Sequence, residues 1–87
     1  MSFSKKEYKV RLRGRSAVIY EEGERKAILE AEMMAGPTDL VIYLESLRCW
    51  QPPYENEVLS SEDKQRIKEN ITKELEAKGL NIVWEYS

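Results

Sequence analysis

The stretch Arg25-Lys26-Ala27-Ile28-Leu29-Glu30-Ala31-Glu32-Met33-Met34, RKAILEAEMM, decides what kind of fold this chain can adopt. Ala, Leu, Glu and Met lose little freedom in a helix, so propensity alone favours one. A period of two tells against it. Ala27, Leu29, Ala31 and Met33 alternate with Ile28, Glu30, Glu32 and Met34, and glycine-bearing turns stand on both sides. Alternation between breakers is the mark of a strand, and the segment is read as one.

The same period recurs around it. In YKVRLR, residues 8–13, Tyr8, Val10 and Leu12 face one way and Lys9, Arg11 and Arg13 the other. Gly14 allows a turn into SAVIYEE, residues 16–22, and Glu22-Gly23-Glu24 makes a second hairpin turn. Ala35-Gly36-Pro37-Thr38-Asp39 breaks the chain again before LVIYLESL, residues 40–47, which reads as a central strand. Ser60, with Asp63 three residues on, is a helix cap in near capping-box form. Ile67, Ile71 and Leu75 then mark one narrow apolar stripe on a helix from Ser61 to Lys78, with Gly79 to end it. In the closing LNIVWEY, Ile82, Trp84 and Tyr86 alternate as in a strand. The predicted order is β-β-β-β-α-β. It specifies an α+β fold: a mostly antiparallel sheet of about five strands with one helix packed on one face.

Eighty-seven residues, 41% hydrophobic and 34% charged, suit a single domain over 1–87, with residues 1–6 expected to be flexible. No apolar run approaches the ~18 residues of a membrane span, and no signal peptide is legible. One cysteine excludes an internal disulfide, so a reducing cytoplasm is the expected compartment. The chain has no histidine, which removes histidine-based acid–base pairs, nucleophile triads and histidine–cysteine zinc sites. No cofactor and no metal are expected. Charge is uneven: residues 1–15 hold six basic groups against one acid, and residues 16–62 hold three against ten. One end can attract anions and the middle a basic partner.

The remaining constellations are weak as catalytic sites. Glu30 and Glu32 project from one strand face, and Glu55 and Glu57 lie two apart in a loop, but sixteen acids in the chain make such pairs common. Ser60 and Ser61 lie near Lys64, and capping explains them. Cys49 lacks an activating histidine and reads as a small buried hydrophobe. The basic first strand suggests a nucleic-acid-binding or regulatory domain as the alternative function. The same cations also blunt a sheet edge against aggregation.

Cys49-Trp50-Gln51-Pro52-Pro53-Tyr54-Glu55-Asn56-Glu57 is the most distinctive segment. Two accounts of it stand. It is a corner stiffened by prolines and sealed by an aromatic ring, or an acidic, aromatic surface made for recognition.

The run from VIYLESLRCW through WQPPYENEVLSSEDKQRI to LNIVWEY, about residues 40–86, resembles a family of small bacterial immunity proteins, immunity protein 74. Such proteins are encoded beside polymorphic toxins, contact-dependent inhibition systems among them. The resemblance implies a non-catalytic, cytoplasmic binder that neutralises a cognate toxin domain, nucleases being common among such toxins. On that reading Trp50 and Tyr54 are aromatic anchors, and Glu55, Glu57, Glu21, Glu22 and Glu24 form an acidic partner-binding surface. Membranes are not implied as partners.

Overall fold

RKAILEAEM is a strand, and the sheet is built around it. The computed structural model describes residues 8–85; the expected flexibility of residues 1–6 and the placement of Tyr86 lie outside the described residues. The elements are β1 (Tyr8–Arg13), β2 (Ala17–Glu22), β3 (Arg25–Met33), β4 (Leu40–Tyr43), a 3-10 turn (Leu44–Ser46), α1 (Ser61–Ala77) and β5 (Ile82–Glu85). Ala27, Leu29 and Ala31 are buried while Lys26, Glu30 and Glu32 are exposed, which is the period of two. Helix propensity is worth only tenths of a kcal/mol per residue. Burial of one face and a ladder on each side outweigh it.

The five strands lie in chain order, β1-β2-β3-β4-β5. The first four are antiparallel, and β5 adds in parallel to β4. A parallel neighbour requires a long crossover, and α1 supplies it. β3 is the spine: β2 pairs with Arg25–Glu30 and β4 with Ala31–Met33, so the two halves of the sheet are staggered along it. Val10, Val18, Tyr20, Ala27, Leu29, Ala31, Leu40 and Ile42 line the inner face. α1 covers them with Ile67, Ile71 and Leu75, each 0% exposed. Burying a side chain of that size contributes ~1.5–3 kcal/mol.

The predicted strand over 40–47 ends early, at Tyr43. Leu44–Ser46 turns into a 3-10 helix, where the Ser46 hydroxyl accepts the Glu30 N–H at 2.8 Å and donates to the Tyr43 carbonyl at 2.5 Å. That side chain replaces a rung of the ladder, and the turn carries Leu47 into the core at 1% exposure.

Both ends of α1 are closed by their own sequence. Ser60 Oγ accepts the Asp63 N–H, and Asp63 Oδ2 accepts the Ser60 N–H, both at 3.0 Å. At the other end Gly79, at φ 87°, lets its N–H reach the Glu76 carbonyl at 2.9 Å and the Leu80 N–H reach the Leu75 carbonyl at 3.1 Å. This is a Schellman motif. Asn81 then holds β5 against β4: its N–H donates to Asp39 Oδ2 at 2.8 Å and its carbonyl accepts the Asp39 N–H at 2.8 Å.

Ser60→Ala removes the reciprocal cap and is expected to lower unfolding free energy by ~1 kcal/mol in urea titration. Ser61→Ala, at the exposed first helical position, should leave the midpoint unchanged.

Candidate recognition surface

A strand that has ended must bring the chain back to α1, and it does so along the part of β3 that β4 leaves unpaired. The Gln51 N–H donates to the Lys26 carbonyl at 2.7 Å, and Cys49 bridges to Val58. Trp50 points inward between these contacts. It is 4% exposed, and its ring stacks on Tyr20 with centroids 6.4 Å apart; Tyr8 stacks on the other side of Tyr20 at 5.9 Å. A ring so covered offers a partner almost no area, so Trp50 seals the core. Cys49, expected inside, is exposed, because it precedes an inward-pointing Trp50 in extended backbone and so faces outward.

Beyond Trp50 the loop folds on itself. The Pro52–Pro53 peptide is cis. The Tyr54 N–H bonds the Gln51 carbonyl, and the Glu57 N–H bonds the Tyr54 carbonyl, both at 3.0 Å. Tyr54 is half-buried, packed against the core on one side. The Arg25 guanidinium lies 4.5 Å from its ring centroid, and its hydroxyl donates to Glu24 Oε1 at 2.9 Å. Arg25 also forms a two-pronged pair with Glu57, Nε to Oε1 at 2.6 Å and Nη2 to Oε2 at 2.8 Å. That pair holds the Glu57 carboxyl below its usual range, and the bond to Glu24 pushes the Tyr54 hydroxyl up, so it remains a proton donor. Glu55 is exposed beside them.

Of the three acids near the β2–β3 turn, only one shares this surface. Glu24, in the turn itself, joins Tyr54. Glu21 points to the open face of the sheet, 3.6 Å from both Arg11 and Lys26. Glu22 points toward α1, where Arg66 donates to both its oxygens at 3.0 and 2.8 Å and Tyr20 donates at 2.7 Å. Consecutive strand residues face opposite sides, which separates Glu21 from Glu22. Of the seven expected site residues, the structure brings together Tyr54, Glu24 and Glu57, with Glu55 adjacent. Sequence reasoning missed Arg25, which organises them; its only local signal was a cation next to Glu24. Among the described residues no group of three or more potential metal ligands occurs.

Burial raises the Glu22 pKa, but the bonds from Arg66 and Tyr20 outweigh it and hold the carboxyl below its ordinary 4.5. A carboxylate with a lowered folded pKa stabilises fully above its unfolded value, and that contribution is lost as pH falls through the folded one.

The geometry defines a small two-layer α+β domain with a rigid aromatic–acidic loop at one end of the sheet. The model of the family described as immunity protein 74 matches residues 9–85, and the chain belongs to that family, whose members are immunity proteins against toxins. No curated protein and no solved structure matches the chain.

Two measurements check these assignments. Trp50→Ala should cost ~3–5 kcal/mol of unfolding free energy, as loss of a buried aromatic does, while Tyr54→Ala costs clearly less. Glu22→Gln should be less stable than wild type at neutral pH in urea, with the difference narrowing as pH drops below 4.5.

Proposed function

We propose that this protein neutralises its cognate toxin by stoichiometric binding, without catalysis, through Tyr54, Glu55, Glu57 and Glu24. The observation that carries this reading is the fixing of Tyr54. Its ring is held between the core and Arg25, and its hydroxyl is held by Glu24. An aromatic side chain ordered before binding loses little entropy on association, and such residues dominate interface energies. Three carboxylates surround it against the single guanidinium of Arg25. That excess suits a toxin with a basic surface, such as the substrate groove of a nuclease, and speeds encounter with it. The reading places the protein in the bacterial cytoplasm as the protective half of a polymorphic-toxin or contact-dependent inhibition pair.

The alternative, nucleic-acid binding by β1, is less well supported. Lys9, Arg11 and Arg13 share their sheet face with Glu21, Glu30, Glu32 and Glu85, and Arg11 and Lys26 already face Glu21. A polyanion approaching that face meets carboxylates throughout.

Co-expression with the C-terminal toxin domain of the adjacent gene should give a one-to-one complex and restore growth. Tyr54→Ala should weaken the complex at least about tenfold while remaining folded, with a thermal melt lowered clearly less than that of Trp50→Ala. Glu55→Lys should slow association, most of all at low salt. No complex with a toxin that still kills would sink the reading for that pair. Undiminished affinity in both variants would move the interface off this loop.

A further inference from the structure

Two strands end this sheet, and they are guarded differently. β1 carries Lys9, Arg11 and Arg13 along its length, and cations so placed keep an edge from pairing with another chain. β5 reads Ile82-Val83-Trp84-Glu85, with one charge at its end, and among the described residues no strand lies beyond it. Its side chains are left half covered. Ile82 and Trp84 face the helix and pack against the core without being buried by it, and Val83, on the other face, is 39% exposed.

The backbone of this edge can be assigned group by group. The Leu40 N–H donates to the Asn81 carbonyl at 3.2 Å, and Leu40 stands opposite Ile82. In a parallel ladder, alternate residues of one strand turn both of their polar groups to the same neighbour. Asn81, Val83 and Glu85 therefore turn toward β4, while the N–H and carbonyl groups of Ile82 and Trp84 point away from it. Two donors and two acceptors stand along the open edge.

We infer that a second copy of the chain pairs at this edge, β5 antiparallel to β5, joining the two sheets into one. A two-fold axis normal to the sheet at Val83 gives the register that fits. Ile82 of each copy then stands opposite Trp84 of the other, and their outward N–H and carbonyl groups bond one another with none left over. The side chains agree with that register. Val83 meets Val83 on the open face, Ile82 meets Trp84 on the helix face, and Glu85 stands opposite Asn81, so no like charges oppose. An edge that matches itself across an axis selects its own copy, and the contact is isologous. β1 paired with its own copy in the same way would set Lys9, Arg11 and Arg13 against one another.

The helix extends the match. The Trp84 Nε1–H donates to Thr72 Oγ1 at 3.0 Å, which places Thr72 above β5, close to the axis. The axis keeps both helices on one side of the joined sheet and reverses their directions. Lys68, one turn before Thr72, therefore faces Glu76, one turn after it, on the other copy. Lys68 already reaches toward the edge, its Nζ 5.9 Å from the centroid of the Trp84 ring.

A seam of one short strand and one helix flank a side lies below about 1,200 Å² in total, the class of weak and transient association. The dimer therefore forms and dissociates with concentration. The proposed toxin-binding loop lies beside the Arg25–Lys26 end of β3, whereas β5 flanks β4, which pairs with Ala31–Met33. The inference does not rest on the reading of that loop, and it leaves the loop open in both copies.

Sedimentation equilibrium on the full chain tests it without any toxin present. The mass should rise with concentration toward twice that of one chain. Val83→Lys and Val83→Glu each set like charges against one another on the axis, and each alone should associate at least about tenfold more weakly. Mixed in equal amounts, the two should recover a dimer, because the groups on the axis are then of opposite sign. Circular dichroism checks that both variants fold. Hydrogen exchange on the wild-type chain needs no variant: the Ile82 and Trp84 amides should slow as concentration rises, while those of Val83 and Glu85, turned to β4, are slow throughout. A wild-type chain that stays monomeric to about 1 mM overturns the inference, as does a dimer unaffected by both Val83 variants or one in which the Ile82 and Trp84 amides still exchange freely. So does a monomer whose Val83 variants lose toxin binding, which would give the edge to the toxin.

Discussion

A buried phenol needs partners for its hydroxyl, and the structure depends on how Tyr20 meets that need. The ring is 0% exposed between Tyr8 and Trp50. Its hydroxyl donates to Glu22 and accepts from Asn70 at 2.9 Å. Left unpaired at that depth, it would cost ~1–3 kcal/mol. The two partners join β2 to α1, and the chain of contacts continues. Glu22 takes Arg66; Arg66 also reaches Asp63 Oδ1 at 2.9 Å; and Asp63 is the cap partner of Ser60. The start of the helix, its seat on the sheet and the aromatic stack are therefore one connected arrangement, and a change at any point is felt at the others.

That arrangement also holds the loop that carries Tyr54. Trp50 is fixed on one side by Tyr20, and Leu59 is buried at 8% exposure on the other, immediately before the helix cap. The residues between these two pins have little length to spare. Two local backbone bonds and the Gln51–Lys26 contact use up what there is. Tyr54 is thus ordered by the core without belonging to it. The two accounts of the CWQPPYENE segment divide by residue: Trp50 makes the corner, and the proposed recognition surface falls to Tyr54 with its neighbouring acids.

The fold was largely legible in the sequence. Alternation in YKVRLR, SAVIYEE and RKAILEAEMM, the Ser60–Asp63 cap, the Ile67-Ile71-Leu75 stripe and Gly79 are all local patterns, and they fixed element type and order. What was not legible depends on partners far away in the chain. LVIYLESL looks like one strand because its stop is set by Ser46 bonding Glu30, sixteen residues earlier. Trp50 and Tyr54 look alike as aromatics beside prolines, and only the position of Tyr20 decides which is buried. The acids at 21, 22 and 24 look like one cluster, yet the strand turns them to three environments. Arg25 and Arg66 were invisible as organisers because their partners Glu57 and Glu22 are 32 and 44 residues distant.

One property crosses from sequence to surface without such long-range information. The chain is basic at its start and acidic through its middle, and the strands are laid down in chain order. In a sheet of that topology a gradient along the sequence becomes a gradient across the face. β1 brings cations to one side, where Glu21 on β2 and Glu30 on β3 offset them only in part, while Glu32 on β3 and Glu85 on β5 lie toward the other. A crossed strand order would have interleaved the same residues and cancelled the gradient. A single 17-residue helix covers only one side of the sheet, so this polarity stays on the uncovered side, where it can act on whatever approaches.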